Sequence, residues 1–233
     1  MSTLTNVNIR PSSAEKASGS YQDAVPTADS TIPKATSSQT GVSVEYVPAP
    51  DKEWFVVRAS YGRERRASDI MVEDGTFTYL PTHIVSKVKG NKRVRVQEVL
   101  VPNILFLYAT REKADEYVRQ TEKLSFLTYY YDHFRQENGK NPPLVVPQKE
   151  MHSFVRATST TSEHVRLVDP EQCHFRSGET VRVILGPFTG VEGRVARLAG
   201  QQRVIVTLQG LCSVATAYIP SAFLQVIDGN EPA

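Results

Sequence analysis

Leu100-Val101-Pro102-Asn103-Ile104-Leu105-Phe106-Leu107-Tyr108 runs nine residues without a charge, between a basic stretch and an amphipathic one. A helix needs about 20 apolar residues to cross a bilayer, so this run is too short. Its length and its branched and aromatic content read as a buried strand, and Pro102 suits a place at the strand's start. The two-residue period puts Ile104, Phe106 and Tyr108 on one face and Leu105 and Leu107 on the other. In a sheet packed on one side only, one of these apolar sets must find a partner elsewhere.

Upstream, His83–Val88 and Arg93–Glu98 read as two arms of a hairpin around Lys89-Gly90-Asn91-Lys92, where Gly-Asn suits a tight turn. Lys87, Lys89, Lys92, Arg93 and Arg95 gather there with no acid between them. That cluster is either charge protecting a strand edge or a finger lying near nucleic-acid phosphates. Further back, Glu53–Ala59 reads as the first strand of a domain, and Arg63–Met71 as a helix. Ala67, Ile70 and Met71 make its core stripe, while Arg63 and Arg66 are neighbours elsewhere on its surface. Gly75 suits the helix stop, and Thr76–Leu80 is extended.

Downstream, Arg111–Lys123 reads as a helix and Leu124–Tyr131 as a strand. Its Tyr129-Tyr130-Tyr131 either stacks on bases or supplies one buried and two half-exposed rings. Pro147 opens a short helix through Phe154. The order strand, helix, strands, helix, strand predicts an α+β fold, a ferredoxin-like sandwich with helices on one sheet face and the other face open. RNA-recognition domains share that topology, but their Lys/Arg-Gly-aromatic signature is missing from Ile104–Tyr108.

Residues 1–50, rich in Ser, Thr, Pro and Ala with scattered hydrophobes, read as a disordered tail. A polar linker spans 156–168. Beyond it, strands at Val181–Leu185, Val191–Leu198, Arg203–Leu208 and Cys212–Ile219 alternate with turns at Gly186-Pro187, Gly200-Gln201 and Gln209-Gly210. Short strands of this number predict a small closed all-β barrel of SH3-like size.

The 233 residues carry a net charge of +2, with eighteen basic against fourteen acidic side chains over residues 51–160. That middle part alone leans towards a polyanion. Cys173 and Cys212 have no CxxC spacing and read as plain thiols in a reducing compartment. His83, His133, His152, His164 and His174 form no metal spacing, and no nucleophile, base and orienter set stands out. The expectation is a protein without catalytic residues, metal or cofactor. No basic-then-apolar leader opens the chain, so a soluble cytoplasmic protein is expected, monomeric when free.

Gly178-Glu179-Thr180-Val181-Arg182-Val183-Ile184-Leu185-Gly186-Pro187-Phe188-Thr189-Gly190-Val191-Glu192-Gly193 resembles a KOW motif. Ahead of it, Trp54-Phe55-Val56-Val57 with Tyr61-Gly62, then Pro102-Asn103-Ile104-Leu105-Phe106-Leu107, resembles the amino-terminal (NGN) domain of NusG-type transcription factors. Leu80-Pro81, Gly90-Asn91-Lys92-Arg93 and Val101–Phe106 are similar in spacing to the specialised RfaH-like paralogues. Pro81-Thr82-His83, Asn141-Pro142-Pro143-Leu144 and Ala217–Phe223 look like the UpxY-type antiterminators of polysaccharide operons. The expected division is a tail over 1–50, an NGN domain over 51–157, a linker over 158–174 and a KOW domain over 175–229.

The resemblance implies a factor that docks on the clamp helices of RNA polymerase, bridges its cleft and suppresses pausing and premature termination. It implies Ile104, Phe106 and, as an extension, Tyr108 as polymerase-facing residues. Ser60, Arg63 and Arg66 then match positions that touch non-template DNA; Lys89, Lys92 and Arg93 of the hairpin are further candidates by their charge alone. Surface charge is the alternative for the Arg pair. Phe188 matches an exposed aromatic that binds a small-subunit ribosomal protein or Rho, or else it closes its own barrel end. Two other functions stay open: a general NusG-like elongation and termination factor, and a KOW-containing ribosome- or RNA-binding protein.

Overall fold

The structure, a computed structural model, describes residues 32–159, 165–169 and 173–227, without the side chains of 174–179. The part of the expected tail at 1–31 and the linker stretches 160–164 and 170–172 lie outside the described residues.

In chain order, a small hairpin of β1 (Ala35–Thr36) and β2 (Ser43–Val44) precedes β3 (Glu53–Ala59), α1 (Glu64–Glu73) and β4 (Phe77–Tyr79). Then come β5 (Thr82–Lys89), β6 (Lys92–Val99), β7 (Ile104–Ala109), α2 (Arg111–Arg119), β8 (Leu127–Tyr129), β9 (Val145–Val146) and α3 (Gln148–Ser159). The remainder is β10 (Arg166–Val168), β11 (His174–Val183), β12 (Glu192–Leu198), β13 (Gln201–Leu208), β14 (Cys212–Ala215) and β15 (Leu224–Val226).

The first sheet is antiparallel, ordered β4-β7-β3-β8, with β9 sharing the edge of β3 beside β8. This is the ferredoxin-like order, with the β5–β6 hairpin inserted between its second and third strands. The nine-residue stretch lies at its centre, as β7 between β3 and β4. Register sets the two faces: Trp54 opposes Tyr108, Val56 opposes Phe106, and Phe77 opposes Tyr108 from the other side. The alternate residues Phe55, Val57, Leu105, Leu107 and Leu127 pack with Ala67 and Met71 of α1 and Ala114 and Tyr117 of α2.

Local chemistry places those helices. Thr110 begins α2, its Oγ1 accepting the Lys113 N–H at 3.3 Å. Gly75, at φ +78, turns the chain out of α1. Tyr117 O–H then ties α2 to the end of α1, donating to Asp74 Oδ2 at 2.6 Å.

Three boundaries differ from the sequence reading. Residues 32–50 are part of the folded body: Ile32, Ala35 and Tyr46 are buried there. The third helix extends to Ser159 because Val155, Ala157 and Thr158 are buried, so packing carries it past the polar residues that suggested a linker. Residues 166–168, expected in the linker, pair as β10 with β14. The second sheet is antiparallel, ordered β10-β14-β13-β12-β11-β15, and its edge strands β10 and β15 are not paired with each other among the described residues.

α3 joins the two halves. Phe154 meets Phe106 at 5.3 Å between ring centroids, and Tyr79 O–H and Thr158 Oγ1 lie 2.6 Å apart. On another side, Lys149 pairs with Glu192 at 3.2 Å, Ser153 Oγ accepts the Glu192 N–H, and Arg156 donates to the Gly190 carbonyl. One apolar cluster therefore runs from Trp54, Val56 and Phe106 through Met151, Phe154 and Val155 to Val183, Val204 and Val206.

Candidate functional site

The apolar face of the first sheet is the first candidate. Ile104, Phe106 and Tyr108 do lie on one face, opposite Leu105 and Leu107, but they are 6, 0 and 2 % exposed. The expectation of an uncovered patch is corrected: both faces of β7 are covered. Burying such a side chain contributes about 1.5–3 kcal/mol, so a chain with apolar segments to spare will cover this face itself. Two elements do so. α3 lies over Phe106 and Tyr79 through Phe154. Residues 32–50 lie over the other end, where the Tyr46 ring sits 5.5 Å from Trp54, stacked, 4.8 Å from Tyr108 and 5.5 Å from Phe77.

Polar contacts pin this cover. Gln148 Nε2 donates to Tyr46 Oη at 2.9 Å, and His152 Nε2 lies 3.1 Å from the same oxygen. Tyr108 Oη accepts the Ala49 N–H at 2.9 Å. Ser38 gives both its N–H and its O–H to the Asp69 carboxylate at 2.6 Å, and Ser37 O–H donates to Glu73 at 2.8 Å. One group is left over: the Trp54 indole N–H is buried with no acceptor among the described residues. Such a group costs about 1–3 kcal/mol of unreturned desolvation.

The second candidate is the surface at the end of β3. Ser60, Arg63 and Arg66 are brought together there around Phe126, with the Arg63 guanidinium 4.1 Å above its ring and that of Arg66 at 5.9 Å. Arg63 Nε also donates to the Ser60 carbonyl at 3.0 Å. Tyr61 is 92 % exposed and holds φ +61, a left-handed conformation that non-glycine residues seldom adopt. The loop before β7 buttresses this turn: Asn103 accepts the Gly62 N–H through Oδ1 and the Ala59 N–H through its carbonyl, each at 2.9 Å. The result is a cationic surface with one exposed aromatic ring, Tyr61, 5.5 Å from the Arg63 guanidinium, a combination suited to phosphates and an unstacked base. Sequence reading missed Tyr61 and Phe126 as members, although Tyr61-Gly62 marked the turn.

Lys89, Lys92 and Arg93 stand apart from that surface, exposed at the tip of the β5–β6 hairpin. Lys89 faces Lys92 directly across the Gly90-Asn91 turn. Lys87 is paired with Glu98, so it is not one of the unengaged tip charges. Arg65 Nη2 donates to the Gln97 carbonyl at 3.5 Å, linking α1 to the hairpin's base.

Phe188 is corrected as well. It is 5 % exposed and belongs to the cluster shared with α3, so it is not a free aromatic tip. Its turn brings it inward: Gly190, at φ +86, donates its N–H to the Val183 carbonyl at 2.7 Å. The apolar side chains exposed near this turn are Ile184 and Leu185.

Among the described residues no group of three or more His, Cys, Asp or Glu could hold a metal ion. No described helix is long and apolar enough to cross a membrane. Burial pushes the Cys212 thiol up to about 12, which leaves it a poor nucleophile at neutral pH.

Residues 52–155 match the family model described as NusG, transcription termination factor nusG. No curated protein matches the chain. The match covers the whole first sheet with α1, α2 and most of α3 and begins after the Tyr46 segment, so this part of the chain is similar to that family.

Proposed function

We propose that this chain is a specialised transcription elongation and antitermination factor, one that docks on the RNA polymerase clamp helices and suppresses pausing and premature termination within a target operon. The observation that carries the reading is the match of residues 52–155 to the NusG family, on a domain whose central strand carries a continuous apolar face under a cover. The target we infer is a polysaccharide-biosynthesis operon, on the UpxY-like segments Pro81-Thr82-His83 and Asn141–Leu144. The factor itself performs no chemistry and works by holding the polymerase cleft closed from a cytoplasmic, monomeric pool.

Within this reading the roles divide by surface. Of the face carrying Ile104, Phe106 and Tyr108, the Tyr108 end anchors polymerase, where a broad buried aromatic would act as a hot spot. Because α3 is integral to the core over Phe106, the end bearing Tyr108 is the part a partner can reach. Ser60, Arg63 and Arg66, with Tyr61 beside them, take the non-template strand, and Lys89, Lys92 and Arg93 take flanking phosphates. The second domain carries the further partner, a small-subunit ribosomal protein or Rho. With Phe188 buried, Ile184 and Leu185 become its contact residues.

The family description favours a second reading, a general elongation and termination factor. Transcription of the neighbouring operon and of unrelated templates, each with and without the protein, separates the two. Read-through gained on the neighbouring operon alone supports the specialised reading. Equal effects on every template support the general one, and no effect on elongation or termination anywhere sinks both.

A further inference from the structure

We propose that residues 32–50 form a displaceable strap. Its Tyr46 occupies an aromatic site made by Trp54, Phe77 and Tyr108, and a segment of RNA polymerase takes that place on docking. This rests on the docking reading above and adds the state in which the free protein waits.

Four observations carry it. First, β1 and β2 pair only with each other, and among the described residues the strap's main chain meets the first sheet through the Tyr108 hydroxyl at Ala49 and through no backbone-to-backbone hydrogen bond. It can leave without breaking a ladder, whereas α3 is tied into the core of both halves. Second, the strap lies outside the family match, which begins at residue 52 and covers every strand of the first sheet. Third, the fit is imperfect: with the Tyr46 ring stacked on Trp54, the indole N–H is buried and has no acceptor among the described residues. A partner with a carbonyl or carboxylate at that point would do better, so the site is matched to something other than the strap. Fourth, the strap's outer hold is polar and local, three hydroxyls of Ser37, Ser38 and Thr40 on the carboxylates of Asp69 and Glu73.

The occupant is then a polymerase segment that presents an aromatic or similarly broad apolar side chain together with an acceptor. The strap lowers the apparent affinity by the fraction of time it covers the site, which keeps the aromatic face from unintended partners.

Trp54 is the chain's only tryptophan, so its fluorescence reports the site directly. The test compares the full chain with Tyr46→Ala and with Ser38→Asp. The second variant leaves the ring in place and sets a carboxylate against that of Asp69. Acrylamide quenching of Trp54 should rise several-fold in both, and binding to core RNA polymerase should tighten by about tenfold. A synthetic peptide of residues 32–50 added to the Tyr46→Ala chain should restore protection, and the same peptide carrying Tyr46→Ala should not. Unchanged quenching in both variants overturns the strap whatever the polymerase does, as does raised quenching with unaltered polymerase affinity. Raised quenching with no polymerase binding by any chain overturns the docking reading instead.

Discussion

Phe106 shows what burial does to a residue that sequence marks for an interface. It sits between Val56 and Tyr79 on the sheet and under Phe154 of α3, with no exposed surface. Phe106→Ala should therefore cost about 3–5 kcal/mol of stability, read as a shift in the urea midpoint. An intact midpoint with weakened polymerase binding would return it to the interface. Arg63 and Arg66 behave oppositely, since their guanidinium groups lie over Phe126 near the surface. Removing both charges should leave the fold intact and reduce the salt slope of binding to a DNA bubble by about one per lost phosphate contact. An unchanged slope makes them ordinary surface charge. The pairing of Arg63 with Arg66 was legible from their spacing. The ring beneath them was not, because Phe126 is sixty residues away in the chain and only the β3–β8 pairing brings it there.

At the scale of elements, the link between α1 and α2 carries a pH dependence. Hydrogen bonds from Lys113 and Tyr117 hold the Asp74 carboxyl below its ordinary value of 3.8. A carboxyl depressed in the folded state stabilises the fold above its unfolded pKa, and this stabilisation is lost as pH falls through the folded one. Asp74→Asn should thus flatten the acid limb of the stability curve below about pH 4. The change should be at most about 1 kcal/mol, because the pair is half-exposed. An acid limb as steep as the wild type's would show that other carboxylates dominate it. The β5–β6 hairpin was readable almost to the residue, since Gly90-Asn91 fixes its turn and the turn fixes its register. The length of α3 was not, because its last turn is held by tertiary burial and not by its own sequence.

At the scale of the whole molecule, α3 is the shared element. Gln148 and His152 face the strap, Phe154 and Thr158 the first sheet, and Lys149, Ser153 and Arg156 the second. One helix committed on three sides should make the two halves unfold together. Wild-type protein should show a single calorimetric transition, and Glu192→Lys should split it. That substitution reverses the partner of Lys149 and Arg182 at the contact between α3 and the second sheet. Two transitions in the wild type would show that the halves are docked only loosely.

The alternation in Trp54–Ala59 and Ile104–Ala109, the stripe of α1 and the Gly-Asn turn determined the first sheet, its helices and its hairpin. These are local patterns, and the nearest neighbours along the chain carry them. The same alternation announced that one apolar face of the central strand needed a cover, but it did not say whose. Tyr46 is a single ring in a stretch of Ser, Thr and Pro, and Phe188 a single ring at a turn, so neither has a period to betray its destination. Only the tertiary structure decided that both turn inward, because covering an apolar face depends on which segments the folded chain can bring to it, and periodicity records only that the face is apolar.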